Sequence, residues 1–515
     1  MARLAFKPDS SFFRKIAIGA VGSRAVAADL ERRGHQIAEL ERGSTDTKLW
    51  KEVKRKRVRI PDLVCLRCGF RIESRAKTKP DLAMSHSLAD ESRAWDFGMV
   101  DDDWIAFPIC VASEEAYWSS GRLTVRASYW HERSWVRWRP TGRINYFTVS
   151  AFRVVAPARR ATKGVTEGSE TTVAWDAIFA TAAAVVDSAS PGGITVRREP
   201  DGRRYTRRAR PGQVVCVPTG AAIEENQVIA STVSPLSEAS LRCPNNLTPS
   251  QVDRLASSRE RTQRFTGVKL ARLLGMAGPA DAVRSLASDP EEDVYVRLEG
   301  ASYLASVRGE PVRELFAPFY ASTDPQTQLE AVIATGEAGT ADAAIELSRL
   351  LDDHHTPFFL RSAAAWALGR IGTPDAVTKL IRAFSDVEHG IREEALDAIV
   401  GIGGPAISSL LAGLRETADE ISAGCAEALR QQRASLGDEA ITSLLEQLRS
   451  ASPSRWAVWL AGNLPREHVA GTIASIEKSA PDLHYALTLL WSFAESWIAQ
   501  RWELNPHPDG ASHED

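Results

Sequence analysis

From about residue 261 onward, apolar positions recur at helical spacing, and that recurrence is itself periodic. Five segments align on one template: RFTGVKLARLLG from Arg264, RLEGASYLASVRG from Arg297, QLEAVIATGEAG from Gln328, RSAAAWALGRIG from Arg361 and REEALDAIVGIG from Arg392. A weaker sixth, AGCAEALRQQ, starts at Ala423. Small or apolar residues such as Ala364, Ala367 and Leu368 fall on one helical face, and a glycine-containing break follows. In the clearest units a second helix comes next, with Pro374 or Pro405 in its first turn. A helix pair of this kind cannot bury its apolar face alone and must stack on its neighbours. The pattern predicts a helical-repeat domain over residues 251–440 and a Trp-rich helical cap over 441–504, with a polar, disordered tail at 505–515.

Ahead of the repeats the period changes. Residues 101–250 read as mostly β, because RLTVRASYW, INYFTVSAFRVV, GITVRRE and QVVCVPTG are rich in β-branched and aromatic residues between Gly and Pro. One helix, TTVAWDAIFATAAAVVDSA, is expected to interrupt them. Residues 1–100 give a helix ending at Gly34, a short strand, a basic connection (KEVKRKRVR), the strand IPDLVC, a tight turn and the strand FRIESRAKTK. The expected fold class is therefore multidomain: α/β, then β, then an all-α solenoid.

Charge divides the chain in the same sense. Residues 1–80 carry 20 Lys and Arg against 9 Asp and Glu, a net of +11, whereas residues 251–515 carry 24 against 38, a net of −14. A basic head attracts a phosphate backbone and an acidic tail repels one. DNA is thus expected on the N-terminal half, and a protein partner or self-association on the solenoid. No apolar run approaches a membrane span, and six scattered cysteines do not make a secreted disulfide framework, so no membrane and a reducing cytoplasm are expected.

Chemistry concentrates in RIPDLVCLRCGFRIESRAKTK, residues 59–79. The carboxylates of Asp62 and Glu73 fall on adjacent strands, and Glu73, Arg75 and Lys77 share a face because strand side chains alternate. With Gly34 at the helix-to-strand turn, Pro61-Asp62 and Glu73-x-Arg75 resemble the motif of the PD-(D/E)xK, restriction-endonuclease-like nucleases, in particular their resolvase and Mrr-like branch. The resemblance implies an N-terminal nuclease fold with Asp62 and Glu73 holding Mg²⁺ (or Mn²⁺), and Arg75 or Lys77 assisting. The family's lysine is Arg75 here, which holds phosphate well but is no general base. Likewise, the C-terminal periodicity resembles the short HEAT-like repeats related to phycobilin lyases.

Between the two carboxylates lies Cys65-Leu66-Arg67-Cys68-Gly69, half of a zinc knuckle, a plain hairpin turn or a redox pair, the last disfavoured because a redox CxxC opens a helix and this one sits between strands. Cys110, Cys243 and His86 are the ligands that could complete it; His86 also reads as a hydrogen-bonded structural histidine. Further candidates for phosphate contact are Lys54, Arg55, Lys56 and Arg57, and Arg133, Arg137 and Arg139, the latter interleaved with Trp130, Trp135 and Trp138. Those tryptophans equally suit a β-domain core. The expected function is a Mg²⁺-dependent DNA endonuclease or DNA-processing protein, possible roles including prokaryotic defence. The alternative is a non-catalytic DNA-binding or scaffold protein with a degenerate nuclease fold and a protein-binding solenoid.

Overall fold

The computed structural model describes residues 10–41, 60–87, 90–112, 138–157, 159–162, 170–199, 201–449, 453–464 and 466–490. Lys54, Arg55, Lys56, Arg57, Arg133, Arg137, the strand expected at RLTVRASYW and the tail at 505–515 lie outside the described residues. The chain divides into two units, Met1–Ala282 and Val283–Asp515.

The first unit opens with α1 (Ser10–Glu31), followed by β1 (Ile37–Glu39), β2 (Leu63–Cys65) and β3 (Arg71–Ser74). After β4 (Leu82–Ser87) come β5 (Trp104–Ala112) and β6 (Trp138–Thr148). Strands β1, β2, β3, β5 and β6 form one sheet in that order; β3 and β5 are parallel and the other pairs antiparallel. The expected boundary at residue 100 therefore falls inside a sheet, whose strands come from both sides of it. Alternation along β5 gives that sheet two filled faces. Trp104 and Ala106 pack with Val26 and Leu30 of α1, while Ile105 and Phe107 join Leu82, Met84, Phe152 and Trp175 on the other side. At Gly22 α1 comes so close that a Cβ would sit 2.5 Å from the Ala76 Cβ, which only glycine permits.

Two expectations for the middle region are corrected. The stretch 171–189 is not a helix but contributes to the strands Glu170–Trp175, Ala177–Phe179 and Ala184–Ser190. Its alanines suggested a helix, but Val173, Trp175 and Val186 are buried in sheet cores, and tertiary packing overrides local propensity. INYFTVSAFRVV is not a strand throughout: β6 ends at Thr148, whose hydroxyl accepts from the Ala151 amide and caps the short helix Val149–Arg153.

The second unit is built of helix pairs, among them Val294–Arg308 with Val312–Tyr320, Pro325–Ala338 with Ala341–Asp352, and Phe358–Ile371 with Pro374–Arg382; His389–Ile402 and Ile407–Gly413 follow in the same order. The template's columns have physical roles. Its first residue closes the preceding turn: Arg361 Nε donates to the Leu351 carbonyl at 2.9 Å, Arg392 Nη1 to that of Asp386 at 2.6 Å, and Gln328 Nε2 to that of Tyr320 at 3.0 Å. The small residue three positions on is buried (Ala331, Ala364, Ala395). Further along, a Cβ on Gly336 would stand 2.6 Å from the Ala367 Cβ of the next unit, and one on Gly369 2.7 Å from that of Ala398. Successive first helices thus meet through a glycine-on-alanine ladder. Gly309, Gly339 and Gly372 end these helices in the left-handed conformation. The expected cap region continues the stacking: Asp438–Leu448 packs on Ile407–Gly413, and Arg455–Ala461 packs on both Asp419–Gln431 and Asp438–Leu448. Among the described residues no single helix is long and apolar enough to cross a membrane.

Candidate functional site

The β2–β3 hairpin places chemistry at both of its ends. Leu63 pairs with Ile72, so one residue earlier Asp62 stands opposite Glu73 on the face turned away from α1. Asp62 Oδ2 accepts the Ser74 amide at 2.8 Å. Its own carbonyl accepts from the Leu40 and Glu41 amides, which brings a third carboxylate, Glu41, beside it. Burial, then the charges of Glu73 and Glu41, push the Asp62 carboxyl well above the usual carboxylate range; the Ser74 amide and the Arg75 charge only partly oppose them. A half-buried carboxyl crowded by two others is a place where an added cation restores ionisation.

Of the two expected cations, Arg75 is the one at the carboxylates. Its Nη2 lies 3.1 Å from Glu73 Oε1 and donates to the Trp95 carbonyl at 3.1 Å, while its buried Nε has no partner. Lys77 keeps the phase of Glu73 but points its ammonium at the Ala83 carbonyl and at Asp81, 3.4 Å away.

The hairpin's other end is a cluster of sulfur and imidazole. Cys65, Cys68, His35 and Cys243 bring four ligand atoms within 4.8 Å of one another. Among the described residues this is the one such group. Cys65 Sγ is 3.9 Å from Cys243 Sγ, and Cys68 Sγ is 3.6 Å from His35 Nδ1. The Arg67 amide points at Cys65 Sγ at 3.4 Å, and Gly69 takes the left-handed turn (φ 77°) that a knuckle requires. The Cys65 thiol is drawn down to about 3, first by its hydrogen bond with Cys68, against burial, and then by His35 and the Arg67 amide.

Two of the expected completing ligands are elsewhere. His86 Nδ1 faces the Trp95 amide, and Cys110 is buried with its thiol toward the Ile18 carbonyl. His35 was missed in the sequence because its spacing to the cysteines is not diagnostic. The signal available was the β1–β2 pairing, since Ile37 opposite Cys65 sets His35 beside the knuckle. Arg139 is exposed on β6, the edge strand of the sheet. A second basic feature has no signature in the sequence motifs. The hairpin of Gly193–Arg198 and Arg204–Arg208 exposes Arg203, Arg204, Arg207 and Arg208, with Arg207 lying over the Tyr205 ring.

The repeats have known counterparts. Residues 312–400 match the family model for HEAT repeats. Solved structures with similarity to the chain include YibA of E. coli (16% identity, TM-score 0.24, covering 48% of this chain and 92% of that one). Human deoxyhypusine hydroxylase shares 15% identity at a TM-score of 0.19, covering 44% and 99%. The complex of CpcE and CpcF of phycocyanin lyase from Nostoc shares 17% at a TM-score of 0.19, covering 48% and 94%. No curated protein matches the chain significantly. The HEAT match lies within the second unit, and the hairpin with its two clusters lies in the first.

Proposed function

We propose that the first unit is a divalent-cation-dependent phosphodiesterase acting on DNA, and that the HEAT repeats serve as its surface for a protein partner. The observation that carries this reading is Asp62 set opposite Glu73, with Arg75 paired to the same carboxylate. Asp62 and Glu73 are oxygen donors of the kind that hold Mg²⁺, and the raised proton affinity of Asp62 fits a site that ionises when a cation enters. A bound Mg²⁺ would supply Lewis-acid polarisation of a phosphoryl oxygen and acidify water. The chain's own residues do the rest. Asp62 is fixed by the Ser74 amide and Glu73 by Arg75, whose guanidinium places positive charge beside the carboxylates, where negative charge would build on a phosphoryl group. Exposed Arg139 and the arginine hairpin at 203–208 supply backbone attraction.

One observation favours the non-catalytic alternative. Arg75 stands where the nuclease pattern has lysine and already closes on Glu73, so a degenerate site that binds DNA without cutting it is the competing account. Incubation of the full chain with plasmid, linear and single-stranded DNA in Mg²⁺, Mn²⁺ or EDTA separates the two. Metal-dependent cleavage lost in Glu73→Gln supports the enzyme. Salt-sensitive binding with no cleavage in any metal supports the scaffold.

A further inference from the structure

We propose that His35, Cys65, Cys68 and Cys243 form a closed, four-ligand structural zinc site that clips the segment entering the helical region to the β2–β3 hairpin. Tetrahedral zinc with bonds of about 2.3 Å to sulfur and about 2.0 Å to nitrogen sets sulfurs about 3.8 Å apart and sulfur from nitrogen about 3.6 Å apart. The observed separations are 3.9 Å for Cys65 to Cys243 and 3.6 Å for Cys68 to His35. A disulfide needs its sulfurs at about 2.05 Å, far inside the first value. All six cysteines of the chain are free thiols.

The surroundings are those of a ligand set. His35 Nε2 lies 3.1 Å from the Leu241 carbonyl and is its natural donor, which leaves the Nδ1 lone pair directed at the cluster. The imidazole also meets the Trp104 ring edge-on at 5.7 Å, fixing its orientation. His35, Cys65 and Cys68 are buried and only Cys243 is partly exposed, so four protein ligands fill the coordination sphere and leave no open position for substrate.

The cluster joins parts of the chain that are far apart in sequence. Cys65 and Cys243 are 178 residues apart in sequence. Around the clip the Cys243 amide donates to the Arg33 carbonyl, the Leu247 amide to that of Arg67, and Arg67 Nη1 to that of Gly34. The segment then enters the helix Pro249–Ala256 through a Thr248–Gln251 capping box. A zinc ion here would set the path by which the sheet hands over to the first helices, and would stiffen the hairpin whose far end carries Asp62 and Glu73. It does not depend on those carboxylates being catalytic.

The test is metal content of the full chain purified without added metal or a metal-binding tag. The expected result is about one zinc per chain, with cobalt replacement giving the thiolate-to-metal charge-transfer bands of a three-sulfur site. Cys243→Ser and His35→Ala should each lose the zinc, whereas Cys216→Ser and Cys425→Ser should keep it. His35→Cys should retain zinc and shift the cobalt spectrum toward four sulfurs, so the proposal stands even if the ligand-deleting variants fold poorly. Wild type that neither carries zinc nor takes it up overturns the proposal. So does full zinc in Cys243→Ser, or a Cys65–Cys243 disulfide revealed by alkylation of only four of the six thiols after denaturation.

Discussion

The two units solve one problem, burying an apolar face, by opposite means. In the second unit the main contacts join helices of one repeat or of neighbouring repeats, and successive repeats supply their own turn-closing side chain (Gln328, Arg361, Arg392) and their own glycine (Gly336, Gly369). In the first, the sheet combines strands from residues 37 to 148, and Leu241 completes the core beneath α1. Both contain a buried Arg–Asp pair, and the pairs show the difference. Arg361 and Asp386 lie 25 residues apart within the repeat array. Arg71 pairs with Asp103 while also donating to the Thr262 carbonyl and the Thr266 hydroxyl, so that one guanidinium ties β3, the residue before β5 and a helix far along the chain. Periodic structure is specified many times over; the non-local unit hangs on single residues.

That contrast can be broken most forcefully at Asp103. Asp103→Ala leaves a guanidinium 3% exposed without its carboxylate, and a cost of about 3–5 kcal/mol is expected. Hydrogen exchange should rise across Met1–Ala282 and leave the slowest amides of the helix Phe358–Ile371 unchanged. Equal loosening of both units would erase the distinction. In the other direction, Gly369→Leu drives a side chain into Ala398 and should cost about 1–3 kcal/mol by overpacking, with faster exchange in the helices bearing residues 358–371 and 389–402.

A smaller effect, of opposite sign, is expected at the carboxylates. Because the folded chain holds a proton on Asp62 that the unfolded chain releases near pH 3.8, this group opposes folding increasingly as pH rises through that value toward its raised one. Asp62→Asn should therefore raise the Tm at neutral pH without divalent cations, and the gain should vanish as the pH falls toward 4. A gain that is the same at every pH would mean the carboxyl is not the cause. Least disruptive of all, replacing Arg203, Arg204, Arg207 and Arg208 by Gln should leave the Tm unchanged. It should weaken DNA binding and flatten its salt dependence, because fewer counterions are released.

Legibility in the sequence followed the same divide. The repeat array was readable because each column recurs, and its first column was visible as Arg before its hydrogen bond to the preceding turn was known. α1 and the order of the strands around Pro61 and Glu73 were readable from period and turn residues. The last two strands of the sheet, β5 and β6, fall to another domain in the sequence reading because pairing between distant strands leaves no local trace. The Ala-rich stretch at 171–189 misled for a related reason: burial in sheets, not helix propensity, decided it. At the candidate site, the Asp62–Glu73 pairing followed from alternation alone, but the choice of Arg75 over Lys77 as its cation depended on where each side chain turned. His35 could be placed beside the knuckle only through the β1–β2 register.

The central claim is that Asp62 and Glu73 form a cation-binding catalytic pair distinct from the sulfur cluster. Its most direct test is a Mn²⁺ titration of the full chain, with bound Mn²⁺, zinc content and DNA cleavage measured on the same samples of wild type, Asp62→Asn and Glu73→Gln. The account predicts that both variants lose Mn²⁺ binding and cleavage together while zinc is unchanged. Variants that bind Mn²⁺ and cut DNA like wild type, or a wild type that binds no Mn²⁺, would contradict it.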